Sequence, residues 1–237
     1  MYSLDDGLLD RYDYADDPVL KKHLHAWDRI CIGDMLTYAS GIGNFGPQMT
    51  AHQNRVAKDG ARFLKTLGFS ERAACNFRAA MLFHDIGKTH NSYNPSIWTL
   101  EGGPTPEERA LKRKHARLGA DMWESFAREK PELLDHPHFA ARYAVTIYHH
   151  ERVDRGGPEE KVASALPVFV QVSCIVDAYD GDRIQRGHQE TRRTPREALR
   201  RLAGFDDPKQ KYVGAFSGNL LTRYIQMKES ELDIGVL

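Results

Sequence analysis

The chain has 237 residues, with 33 Lys plus Arg against 33 Asp plus Glu, a formal net charge of zero, and 41% hydrophobic residues. That balance excludes disordered and collagen-like chains and argues against the broad basic surface that neutralises nucleic-acid phosphates, so polymeric nucleic acid is not an expected partner. No apolar run approaches the ~18 residues that span a bilayer, the acidic start MYSLDDGLLDRYDYADD is not a signal peptide, and the dispersed Cys31, Cys75 and Cys174 form no disulfide framework. The expectation is a cytoplasmic protein with no membrane insertion.

In chain order, Val19, Leu20, Leu24, Trp27, Ile30, Cys31 and Met35 recur mostly three or four apart and predict one or two packed helices over residues 19–39. GIGNFG at residues 41–46 fits G-x-G-x-x-G, but no strand precedes it, so it reads as a flexible linker between helices. A helix from about Thr50 to Leu67 should end at Gly68, and Ser70 caps the next, which runs through Ala79, Ala80, Met81, Leu82 and Phe83. Thr105-Pro106-Glu107-Glu108 and Thr194-Pro195-Arg196-Glu197 each place Thr at the N-cap, Pro at the first helical position and Glu at the third. Pro167 opens a helix from Val168 to Tyr179 that is apolar nearly all round, as a helix buried mid-bundle must be. No alternating strand pattern competes. The expected fold class is all-α, with loops near residues 87–104, 151–166 and 181–193.

Several polar residues sit on or beside these apolar strings and need an explanation. His84 and Asp85 close AAMLFHD, His149 and His150 close AVTIYHH, Asp177 interrupts VQVSCIVDAY, and His52 and His115 lie on the helices between. A buried carboxylate is costly unless it is paired, hydrogen-bonded or bound to metal. Neutral imidazoles and carboxylates are the usual nitrogen and oxygen ligands of divalent metals. Seven side chains overcrowd one ion but suit two that share a bridging carboxylate, with iron or manganese fitting best and zinc open.

These strings resemble the HD superfamily of metal phosphohydrolases and, within it, the HD-GYP family of cyclic di-GMP phosphodiesterases. His52 precedes His84-Asp85 of HDIGK; residues 96–122 resemble the segment leading to the family's H-x-x-x-G element, here His115 and Gly119; HHERVDRGGP at 149–158 resembles the HHE signature, and DAYDGDR at 177–183 the closing D-x-Y-D element. The resemblance implies an HD-domain helical bundle over residues 48–237 with an N-terminal helical extension over 1–47; because residues 1–45 lie outside the resemblance, they are the expected place for a signalling partner to bind. It implies that His52, His84, Asp85 and Asp177 hold one metal, and that Asp85 bridges to a second held by His115, His149 and His150. Lys88 would touch a substrate phosphate or the attacking water, and Arg183 is a further substrate-binding residue. The implied reaction is hydrolysis of cyclic di-GMP to linear pGpG, or on to GMP, by hydroxide held between the metals. Asp180 reads either as support for a ligand or as a plain salt-bridge partner.

Three departures stand beside the matches. Gln48 replaces the Glu with which some members hold a third metal, so two metals are expected. The GYP tyrosine is absent from Asp154-Arg155-Gly156-Gly157-Pro158, and the connection after Asp180 is short. They keep open another cyclic dinucleotide or nucleotide as substrate, or a signalling module that binds nucleotide without hydrolysis.

Overall fold

The computed structural model describes residues 4–93, 105–185, 191–206 and 209–236. Its helices are α1 (Pro18–Gly41), α2 (Gly46–Thr66), α3 (Glu71–Met81), α4 (Pro106–Arg128), α5 (Pro131–Leu134), α6 (Pro137–Tyr148), α7 (Val168–Arg183), α8 (Pro195–Leu202) and α9 (Gly218–Leu232). Among the described residues the nearest thing to β structure is one isolated bridge, Arg152 to Val162. The fold is all-α, as the helical signals require. No helix among the described residues is long and apolar enough to cross a membrane.

The caps explain where helices start. The hydroxyls of Thr105 and Thr194 accept from the amides of Glu108 and Glu197, whose carboxylates accept in return from the threonine amides. Ser70 accepts from the Ala73 amide, and Asp17 accepts from Val19 and Leu20, which starts α1 at Pro18.

Several local expectations are corrected. The stretch at 41–46 is a tight corner rather than a flexible linker: α1 runs to Gly41, a 3-10 turn covers Gly43–Phe45, and α2 begins at Gly46, ahead of Thr50. A Cβ on Gly46 would lie 2.0 Å from the Ala39 carbonyl oxygen, so only glycine lets the two helices meet there. Helix α3 stops at Met81 instead of continuing through Phe83, and α7 continues past Tyr179 to Arg183. The expected loop near 87–104 begins with a 3-10 turn over Ile86–Thr89, and its residues 94–104 lie outside those described. The third expected loop is helical through residue 183, and its residues 186–190 also lie outside those described.

Helix α2 is central and packs on both α3 and α7. The main core gathers Val56 and Phe63 of α2, Phe77 of α3, Val145 of α6, Phe169 and Val172 of α7 and Tyr224 of α9, all fully buried. A second core joins Leu20, Leu24 and Cys31 of α1 to Phe83, Ile86 and Trp123. Helix α1 is also tied across this core by a buried ion pair, Arg142 Nη1 to Asp28 Oδ1 at 2.6 Å.

Near that pair, His138 is fully buried and 3.1 Å from the Tyr12 hydroxyl. Burial, with Arg142 and His136 nearby, holds its pKa well below the ordinary histidine value. The unfolded chain therefore binds a proton here below about pH 6.5 that the folded chain refuses, so stability falls as pH falls. We expect this group to remove about 2 kcal/mol of unfolding free energy between pH 6.5 and 5. Denaturant titrations of the metal-free protein and of His138→Asn across that range check it: an equally steep loss in the variant would refute the assignment.

Candidate metal centre

The seven histidines and aspartates singled out above converge at one place. His52 comes from the first half of α2, His115 from α4, Asp177 from α7, and His149 and His150 from the turn just beyond α6. His84 and Asp85 lie not on a helix but on the turn after α3, where the amides of His84 and Ile86 bond to carbonyls three residues back. Asp85 has φ −95° and ψ 8°, the sparsely populated bridge conformation.

Two glycines let this turn reach α4. A Cβ on Gly87 would fall 2.0 Å from the His115 carbonyl oxygen and 2.4 Å from the Gly119 nitrogen, and one on Gly119 would fall 2.8 Å from Thr146 Cγ2. The H-x-x-x-G spacing thus has a steric cause: the glycine one turn beyond His115 clears space for the segment that carries Asp85.

Asp85 divides the site. Its Oδ2 lies 3.6 Å from His52 Nε2 and 3.5 Å from His84 Nε2, while its Oδ1 lies 2.9 Å from His115 Nε2 and 3.9 Å from His149 Nε2. Asp177 Oδ1 stands 3.1 Å from His52 Nε2 and 3.4 Å from His84 Nε2, and its Oδ2 is 3.5 Å from His150 Nδ1. On the other side, His115 Nε2 is 3.2 Å from His149 Nε2 and 3.3 Å from His150 Nε2. Two ligand groups result, His52, His84 and Asp85 in one and His115, His149 and His150 in the other.

The donor chemistry fits divalent metal. His84 Nδ1 lies 2.9 Å from the Met81 carbonyl, His115 Nδ1 2.5 Å from that of Lys112, and His149 Nδ1 2.8 Å from that of Thr146. Each carbonyl accepts an Nδ1–H and so fixes the tautomer in which Nε2 is a bare lone pair. His84 Nε2 is buried with no hydrogen-bond partner among the described residues. Lone pairs converging at about 3 Å in a buried site repel unless a cation lies among them.

The electrostatics agree. Burial pushes His149 down to about 3 and holds His115 and His150 below the ordinary value, so these rings stay neutral and available as ligands. Burial also opposes the charge on Asp85, but Lys88, His84 and His115 outweigh it and hold the carboxyl well below its usual range. Asp177 is held low in the same way by His52 and His84. His52 is the exception. Burial lowers it, but Asp177 and Asp180 together raise it to about 9.

Lys88 is buried and pairs with Asp85 Oδ2. Arg183 Cζ lies 5.4 Å from the Tyr179 ring centroid, and Arg183 lines a hollow with Arg55, Lys58 and Asp180. Gln48 Oε1 accepts from the Gln185 amide at 3.2 Å.

Arg55, Gln53 and Glu151 escaped the sequence reading. Asp180, left open between two roles, accepts at 2.7 Å from His52 Nδ1 and at 2.6 Å from Arg55 Nε, which makes it the support for His52. Nothing local marks Arg55, 125 positions from Asp180. Gln53 Nε2 donates to Asp85 Oδ2 at 3.3 Å. Its signal was a polar residue in the buried register of Met49, Val56 and Phe63. Glu151 of the HHE string faces its own loop, accepting from the amides of Glu159 at 2.8 Å and Lys161 at 2.5 Å.

Removing the carboxylate behind a ligating imidazole typically costs 10- to 100-fold in metal affinity. Asp180→Asn is expected to weaken manganese(II) binding by about that factor. Calorimetric titration checks it, and unchanged affinity would show that Asp180 only ties Arg55 to the helix.

A family model for the HD domain matches residues 50–182, and the chain belongs to that family. Two solved structures share the fold. Bd1817, a HDG"Y"P protein from Bdellovibrio bacteriovorus, is 18% identical over 75% of this chain and 51% of its own, with a TM-score of 0.56. The L. monocytogenes phosphodiesterase PgpH HD domain, in complex with cyclic-di-AMP, is 16% identical over 86% of this chain and 96% of its own, with a TM-score of 0.52. The match thus spans about half the length of Bd1817. A search of curated proteins found no match.

Proposed function

We propose that this chain is a metal-dependent phosphodiesterase that opens cyclic di-GMP to linear pGpG, acting in the cytoplasm. The observation that carries the reading is Asp85, whose two oxygens face two separate groups of imidazoles. On this reading His52, His84, Asp85 and Asp177 would hold one divalent ion, and His115, His149 and His150, with Asp85, would hold a second, iron or manganese in each. The engagement of Gln48 with the backbone of Gln185 favours two ions over three.

When bound, such ions supply Lewis acidity and a nucleophile at neutral pH. The chain's own groups supply the rest. The Lys88 ammonium, held beside Asp85, neutralises a non-bridging phosphate oxygen as negative charge builds in the transition state. Arg55 and Asp180 orient His52, and Gln53 orients Asp85, so the centre is held in place before substrate arrives. Glu151 pins the loop over residues 151–161 that borders His149 and His150.

Cyclic di-AMP is the second reading, favoured by the ligand held in the PgpH HD-domain complex. Product analysis of both dinucleotides incubated anaerobically with iron(II)- or manganese(II)-loaded protein decides between them. Linear dinucleotide from cyclic di-GMP supports the proposal, product from cyclic di-AMP alone moves the substrate, and tight binding with no product makes the chain a nucleotide-binding signalling module.

A further inference from the structure

A cavity of about 150 Å³ opens between α1 and α2. Ile32, Met35 and Leu36 of α1 form one wall, one turn apart on one helix face, and Met49 and Gln53 of α2 form the other. Asp85 and Lys88 also line it, so the cavity and the metal centre share a wall. Ile32 is 44% and Leu36 51% exposed, large apolar side chains left at the mouth of a pocket that adjoins the chemistry. Gln53 brings a polar handle to these walls: its Nε2 is engaged by Asp85, and its buried Oε1 has no partner among the described residues.

An apolar cavity of about this size accepts one aromatic ring. Apolar walls with a single amide fit a planar heterocycle that carries an N–H donor, and the adjoining Lys88 fits an anion joined to it. Resting on the phosphodiesterase reading above, we propose that this cavity is the subsite for one nucleobase of the substrate, with α1 as its outer wall and the phosphate at Lys88. Only one base fits, so the second base of a cyclic dinucleotide lies outside. Helix α1 then sets base affinity rather than chemistry.

The test is equilibrium binding of GMP, AMP and ribose 5-phosphate to the manganese-loaded protein and to Leu36→Trp and Ile32→Trp, which fill the mouth from exposed positions. The wild-type protein should bind a nucleotide at least about tenfold more tightly than ribose 5-phosphate, the gain expected when a ring leaves water. Both variants should close that gap while binding ribose 5-phosphate as before. No gap in the wild-type protein, or a gap that survives both substitutions, overturns the subsite. So does a wild-type dimer that dissociates on Leu36→Asp with the gap intact, which would assign this face to a second copy of the chain. Turnover of cyclic dinucleotide is read separately: a base-dependent gap without turnover leaves the subsite standing and sinks the reaction.

Discussion

Asp85→Asn is expected to lower turnover of cyclic di-GMP by about a thousandfold or more, in line with the several kcal/mol that bound metal contributes to such a transition state. Metal content should fall in the same preparation to at most one ion per chain. Asp85 offers one oxygen to His52 and His84 and the other to His115 and His149. Asparagine keeps the shape but replaces one acceptor with a donor and removes the charge, so one group of imidazoles loses its anionic ligand. The substitution also takes the carboxylate from buried Lys88, and thermal unfolding of the variant separates loss of fold from loss of metal. A folded variant with two metals and undiminished turnover would remove the bridging role.

The largest expected effect on stability lies away from the metal centre, at Asp28→Asn. Arg142 is 1% exposed, and its Nη1 and Nη2 donate to the two oxygens of Asp28 at 2.6 and 3.1 Å. Its Cζ lies 4.2 Å from the Trp123 ring centroid and 4.6 Å from that of Phe83. Tyr14 donates to the same aspartate. Neutralising Asp28 leaves a guanidinium buried without its counter-charge, and breaking such a pair costs about 3–5 kcal/mol. Denaturant unfolding should show that loss. Pairing Asp28→Leu with Arg142→Met should recover most of it, because apolar replacement of both partners is often neutral. A single variant within about 1 kcal/mol of wild type would mean that solvent reaches Arg142.

Because α1 carries Asp28 and also Ile32, Met35 and Leu36, the helix that reads in sequence as an extension is packed into the second core and walls a cavity beside Lys88. Periodicity reports that a helix has an apolar face, not which surface that face meets.

The features legible along the chain are local ones. Thr105, Thr194 and Ser70 announce helix starts because a cap is satisfied within three residues. The all-α class follows from such signals; His84, Asp85, His149, His150 and Asp177 stand out because each is polar in or at the end of an apolar string, whereas His52 and His115 stand out only through the motifs they belong to. Tertiary structure decided everything that needed two distant segments. Met81 ends α3 so that His84 and Asp85 can turn inward, and Gly87 and Gly119 set how closely that turn approaches α4. Asp180 became the support of His52 only when α7 packed on α2, which placed a residue 128 positions away at 2.7 Å. Which oxygen of Asp85 meets which imidazole depends on the positions of several helices at once. Spacing along one chain carries no record of that geometry, because it arises from side-chain packing between elements and not from any one element's own backbone.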